Sequence, residues 1–199
     1  MLKKPSRHFK KMSFLLACAL VSSTHLSWAD EKAFVDPARA KALRPDLAFP
    51  VDKEGIIRAL KPKAMAKGGK PKAAKALTSI NFGFGSAEIL PSSYPMLQEY
   101  AAALQSGELA GSTIQIAGHT DNIGPDEGNM ELSSARAESV KNYLINQGVN
   151  PNLLVTIPYG ESQPLAPNTT PEARFLNRRV EFINPNPYAN NNANPNQEY

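Results

Sequence analysis

Regular apolar spacing is confined to residues 78–184, and within that stretch it switches between the periods of strand and helix. Ser79-Ile80-Asn81-Phe82-Gly83-Phe84 alternates and predicts a strand. After Pro91, Leu97, Tyr100, Ala101 and Leu104 recur at helical spacing, with Ser92 as the expected N-cap and Gly107 as the stop. Thr113–Ala117 predicts a second strand, Met130–Gln147 a second helix ended by Gly148, Leu153–Tyr159 a third strand and Arg178–Ile183 a fourth. The order β-α-β-α-β-β predicts an α+β two-layer sandwich, a small mixed sheet with helices on one face. No internal repeat is visible.

The flanks carry no such period. Lys3, Lys4, Arg7, Lys10 and Lys11 precede the short apolar run Met12–Val21, and Ser27-Trp28-Ala29 has the small-x-small form of a cleavage site. Residues 1–29 are therefore expected to be a signal peptide; the run is shorter than the about 20 residues that a membrane helix needs. Leu15-Leu16-Ala17-Cys18 has the form of a lipobox. Cleavage after Ala29 is the favoured expectation over lipidation at Cys18, because the apolar run continues past the cysteine.

Removing the signal takes away 5 of 22 basic residues and no acid, leaving 17 basic against 18 acidic. The high isoelectric point thus belongs to the signal, and a nucleic-acid partner is not expected. The single cysteine leaves with it, so no disulfide or thiolate metal site is expected. Of three histidines only His119 remains, which argues against a histidine metal centre.

Residues 30–77 read as an N-terminal extension followed by a linker. Lys53–Lys75 holds eight basic residues and one acid, rich in Ala, Pro and Gly, as solvated chain does. Residues 78–184 hold 5 basic and 11 acidic residues, the opposite sign. Residues 185–199, rich in Asn and Pro, are expected to be a disordered tail.

The chemistry concentrates after the second strand. Gly118-His119-Thr120-Asp121-Asn122-Ile123-Gly124 is a polar loop carrying an acid. In the helix that follows, Leu132, Arg136, Val140 and Leu144 are spaced by four, putting a cation on what reads as the apolar face. Such a charge needs an anionic partner. Asp121 and Arg136 can pair with each other, or together hold a zwitterion from its two ends, the guanidinium meeting a carboxylate bidentately. The helix's first turn, near Asn129 and Ser133, adds amides that suit an anion. No nucleophile or second carboxylate accompanies His119, which reads as a strand-end residue orienting the loop. Arg178 and Arg179 alternate on the expected last strand, so only one of them faces inward; buttressing the pocket and lying on a solvated edge both remain open.

These motifs are in the order of a known family. Gly118-His119-Thr120-Asp121-Asn122-Ile123-Gly124, Asn129, Leu132-Ser133-x-x-Arg136-Ala137-x-x-Val140, Tyr159-Gly160-Glu161-Ser162-x-Pro164 and Asn177-Arg178-Arg179-Val180-Glu181 resemble the OmpA-like peptidoglycan-binding domain. Phe82-Gly83-Phe84-Gly85-Ser86-Ala87-Glu88-Ile89 and Tyr143-Leu144-x-x-x-Gly148-Val149 support it, and the resemblance covers 78–184.

The resemblance implies a non-catalytic, cofactor-free module of the periplasm, associated with the outer membrane and cell wall of a Gram-negative bacterium. It implies non-covalent binding of peptidoglycan through the diaminopimelate of the stem peptide, so linking an envelope component to the wall. Asp121 would take the ligand's amine and Arg136 its carboxylate, with Asn129, Leu132, Ser133 and Thr120 lining the pocket. Gly83 and Gly85 depart from the acidic or amide residues common there. Many relatives carry a membrane barrel upstream, which residues 30–77 are too few to supply. The alternative expectation is an adaptor that mainly binds another envelope protein, for instance through residues 30–77.

Overall fold

The centre of the sheet is β2, Ile114–His119, because its apolar alternation is buried on both faces. It pairs in parallel with β3, Leu154–Gly160, from Ile114↔Leu154 to Gly118↔Pro158. On its other side it pairs antiparallel with β4, Val180–Asn184, with Ile116 opposite Phe182. The edge is β1, Ala74–Thr78, antiparallel to β4, giving the order β1-β4-β2-β3. This computed structural model describes residues 48–61 and 73–185. The expected signal peptide, the lipobox at Cys18, residues 62–72 of the basic segment and nearly all of the Asn/Pro tail lie outside the described residues.

Helices α1 (Lys53–Leu60), α2 (Tyr94–Gln105) and α3 (Asp126–Asn146) cover the face of the sheet that carries Ile114, Ile116, Val180 and Phe182. Tyr100 of α2 stacks on Phe182 with ring centroids 4.0 Å apart. The expected α+β two-layer architecture is the one observed. Helix α3 begins at Asp126, earlier than Met130, with Asp126 and Glu127 in the first turn, where negative charge meets the positive helix end. It ends on Gly148 at φ 92, with Val149 N donating to Leu144 O, as the glycine predicts.

The buried stripe of α3 is Asn129, Ser133, Ala137, Val140 and Leu144. Arg136 therefore stands one residue beside the stripe rather than in it, and the four-residue spacing through Arg136 overstated its burial. Where α3 crosses β2, a Cβ on Gly118 would lie 2.1 Å from the carbonyl oxygen of Ser133. Only glycine admits this approach.

The N-terminal boundary of the domain is corrected. Residues 53–60 form a helix rather than linker, and residues 74–77 are strand. Asp52 caps α1 by accepting from Gly55 N at 2.7 Å, and Ile56 and Leu60, four residues apart, are wholly buried. Burying two such side chains stabilises by about 1.5–3 kcal/mol each. Glu99 accepts from Lys53 N, Lys61 pairs with Glu108, and Asn184 Nδ2 donates to Leu60 O. The lysine-rich average of the segment hid one short amphipathic turn pair.

A second correction concerns the first strand. Residues 79–84 do not join the sheet; the place beside β4 is taken by β1. Phe82 bridges only to Ile89, Gly83 N donates to Glu88 O, and the chain reverses at Gly85, φ 59. Alternation supplied the period but not the partner. Ser92 likewise is not the cap of α2: Pro91–Ser93 is a 3₁₀ turn, and the Ser93 hydroxyl accepts from Asn81 N. The fourth strand starts at Val180 rather than Arg178, because Pro171–Asn177 forms α4, capped by Thr170 accepting from Ala173 N.

Candidate functional site

The acid sits just past the end of β2. Thr120 N still donates to Gly160 O at 2.8 Å, which keeps the strand ends together, and the chain then turns at Asp121. The Asp121 carboxylate accepts from Ile123 N at 3.1 Å through Oδ1 and from Arg178 Nη1 at 2.5 Å through Oδ2. The direct Asp121–Arg136 pair that spacing allowed is not formed; Arg178 holds the acid instead.

Arg136 comes from α3. Its Nε donates to Ser86 O at 3.0 Å, and its guanidinium lies over the Phe82 ring, 5.0 Å from the centroid. Among the described residues no carboxylate pairs with it, and its two terminal nitrogens donate to none of them. Burial pushes its pKa down to about 10, aided by the charge of Arg178 and opposed by Asp121. It stays a cation at neutral pH, and the three charged groups lie within electrostatic reach of one another.

Arg178 owes its place to its neighbour. Asn177 is fully buried, and its carboxamide accepts from Leu165 N and Ala166 N and donates to Ala166 O and Asn168 Oδ1. This pins the 165–168 loop to the end of α4, and Arg178 follows directly, its guanidinium 5.8 Å from the Phe175 ring centroid. The Asn-Arg-Arg motif signals two neighbouring arginines, but not which carboxylate each of them meets.

The remaining predicted residues divide. Asn129 is buried, and its Nδ2 donates to Glu161 Oε2 at 2.7 Å, which places Glu161 beside the site. Leu132 is half-buried on α3. Thr120 is buried, its hydroxyl without a hydrogen-bond partner among the described residues. Ser133 is wholly buried, its hydroxyl donating to Met130 O and accepting from Gly160 N, which ties α3 to β3.

His119 belongs to a separate buried group on the other face of the sheet. It stacks on Tyr159 at 5.1 Å, and Glu181 Oε1 lies 3.8 Å from its Nε2. Arg179 donates to Glu181 Oε1 from Nε at 2.7 Å and from Nη2 at 2.5 Å. Burial, with the charge of Arg179, pushes the His119 pKa down to about 3, so the ring is neutral. Among the described residues no group of His, Cys, Asp and Glu could hold a metal ion, and no helix is long and apolar enough to cross a membrane.

The chain is similar to known proteins over its periodic region. A family model described as the OmpA family matches residues 81–178. Outer membrane protein A of Bordetella avium is 37% identical over 131 residues, 65% of this chain and 65% of that protein. The peptidoglycan-binding protein ArfA of Mycobacterium bovis is 39% identical over 104 residues, 52% of this chain and 31% of that protein. The chain thus matches less than two thirds of the length of each of these relatives. Among solved structures, the periplasmic domain of Helicobacter pylori MotB superposes with a TM-score of 0.50 at 28% identity, covering 67% of this chain and 89% of that one.

Proposed function

Since residues 81–178 belong to the OmpA family, we propose that the protein is an exported, non-catalytic envelope module that binds peptidoglycan and ties an envelope component to the wall. The recognised group is the free end of diaminopimelate, whose ammonium goes to Asp121 and whose carboxylate goes to Arg136. Asn129, Leu132 and Thr120 border the pocket, and Ser133 ties the helix that carries Asn129 and Leu132 to β3.

One observation carries the reading. Arg136 is held by Ser86 O and Phe82 at its inner edge while its terminal nitrogens remain unspent, with the Asp121 carboxylate within electrostatic reach. A fixed guanidinium fork beside a fixed carboxylate suits a zwitterion, each charge-assisted hydrogen bond contributing about 1.5–3 kcal/mol. The printed name of one relative, a peptidoglycan-binding protein, supports the same ligand class.

A sacculus pull-down tests it. The protein should sediment with purified sacculi, and Asp121→Ala and Arg136→Ala should each abolish most of that. Undiminished sedimentation of the folded double variant would refute the assignment. Crosslinking in cells after muramidase digestion separates the adaptor alternative, which requires a protein partner to be retained once the wall is gone.

A further inference from the structure

Asp121, Arg136 and Arg178 make a cluster of one negative and two positive charges. If Arg178 only steadied Asp121, its remaining nitrogens would be expected to face other acceptors. Instead Nη1 to Asp121 Oδ2 is the one side-chain hydrogen bond it makes among the described residues, and Nε and Nη2 donate to none of them. The side chain is one third exposed, so those donors can reach a ligand. Arg136 is in the same condition, with Nε spent on Ser86 O and its two terminal nitrogens donating to none of the described residues.

We propose that Arg178 is a second ligand-reading cation of this site, which with Arg136 straddles the free carboxylate of diaminopimelate and rejects a bare ammonium in its place. The inference rests on the proposed wall-binding reading and adds to it the basis of stem-peptide selectivity. Its logic is a charge balance. The free end of diaminopimelate carries an ammonium and a carboxylate on one carbon, whereas a lysine side chain at the same position carries the ammonium alone. A zwitterion leaves the cluster at a net single positive charge; lysine raises it to two, inside a partly desolvated site. One guanidinium beside Asp121 would bind either ligand with little electrostatic penalty. The second makes the missing carboxylate costly, so discrimination comes from repulsion as well as attraction.

Both cations act on one carboxylate: Arg178 Nη1 donates to Asp121 Oδ2 at 2.5 Å, and the charges of Asp121 and Arg178 both bear on Arg136. Each is backed by an aromatic ring, Phe82 behind Arg136 and Phe175 behind Arg178.

The test is calorimetric titration of the mature chain with three soluble stem tripeptides. One ends in diaminopimelate, one in its carboxamide at the free centre, and one in lysine. Wild type should bind the first at least about tenfold more tightly than either of the others. Arg178→Gln should lower affinity for the diaminopimelate peptide while leaving that for the lysine peptide unchanged or raised, so that the ratio narrows at least about tenfold. Arg178→Lys, which keeps the charge, should still reject the lysine peptide. A purely structural role for Arg178 would weaken all three ligands in parallel, and that outcome overturns the proposal.

Should Arg178→Gln not fold, the wild-type comparison decides alone, since equal affinity for the carboxylate and the carboxamide also overturns it. The wall-binding reading fails separately. It falls if wild type binds neither sacculi nor any tripeptide, whereas sacculus binding with an unaltered ratio in Arg178→Gln sinks only the role given to Arg178.

Discussion

Asp121 and Arg178 meet at 2.5 Å across 57 residues of chain, and this contact organises the candidate site. It draws the end of α4 to the turn after β2, and it leaves Arg136 with no paired carboxylate among the described residues. The acid is therefore held by Arg178 on one oxygen and by its own turn amide on the other. A site fixed in advance spends little of its binding energy on ordering its own side chains.

Removal of either end of the clamp should be felt chiefly in affinity. Asp121→Ala and Arg136→Ala are each expected to weaken binding to sacculi by at least about tenfold. Thermal midpoints should show whether each variant remains folded. Sedimentation over a range of sacculus concentrations measures the loss.

Gly118 is expected to tolerate nothing larger. A methyl group there would lie 2.1 Å from Ser133 O, and both α3 and β2 are pinned at that crossing. Gly118→Ala should cost about 3 kcal/mol, the upper end of the overpacking range, read as a lower urea midpoint. By contrast Gly85→Ala meets no atom within 4 Å and should suffer only from its φ of 59.

Helix α1 is expected to behave as core rather than as linker. Leu60→Ala should destabilise the domain by about 2–5 kcal/mol. A solvated linker would show no change in the same urea titration, so the measurement separates the two descriptions directly.

Acid should destabilise the domain through His119. Its folded pKa lies near 3 against an ordinary 6.5, so below pH 6.5 the unfolded chain takes up a proton that the folded chain refuses. Stability is complete above pH 6.5 and falls as pH drops from there toward 3, by up to about 5 kcal/mol. The groups facing the ring are Arg179 and Lys75, which oppose its protonation, and Glu181, which favours it. Glu181, itself held below the ordinary carboxylate range by Arg179, adds a loss in the same direction below its usual pKa of 4.5. His119→Phe, which keeps a ring on Tyr159, should flatten the slope between pH 6.5 and 4.5 in urea midpoints taken across that range.

Much of this was legible along the chain. The α2 and α3 periods, the stop at Gly148, strands β2 and β3, and the acid-then-arginine pattern all arise from neighbours within a few residues, so local spacing suffices to see them. Residues 79–84 show where that fails. Their alternation satisfies a strand, but a strand also needs a free edge of matching register, and Ala74–Thr78 occupies the edge of β4. Helix α1 failed the other way. Two buried residues in eight make a weak pattern in a lysine-rich window, and their burial depends on a core assembled from chain far ahead.

What the sequence by itself determined is thus the α+β class, most of the elements, and the motif that puts Asp121 and Arg136 near one another. Only the tertiary structure decided where the domain begins, which strand borders β4, and which arginine holds Asp121. The physical reason is the same in each case. A hydrogen-bonded edge, a buried Ile56 or a paired carboxylate has its free energy set by partners many residues away, and spacing along the chain records none of those distances.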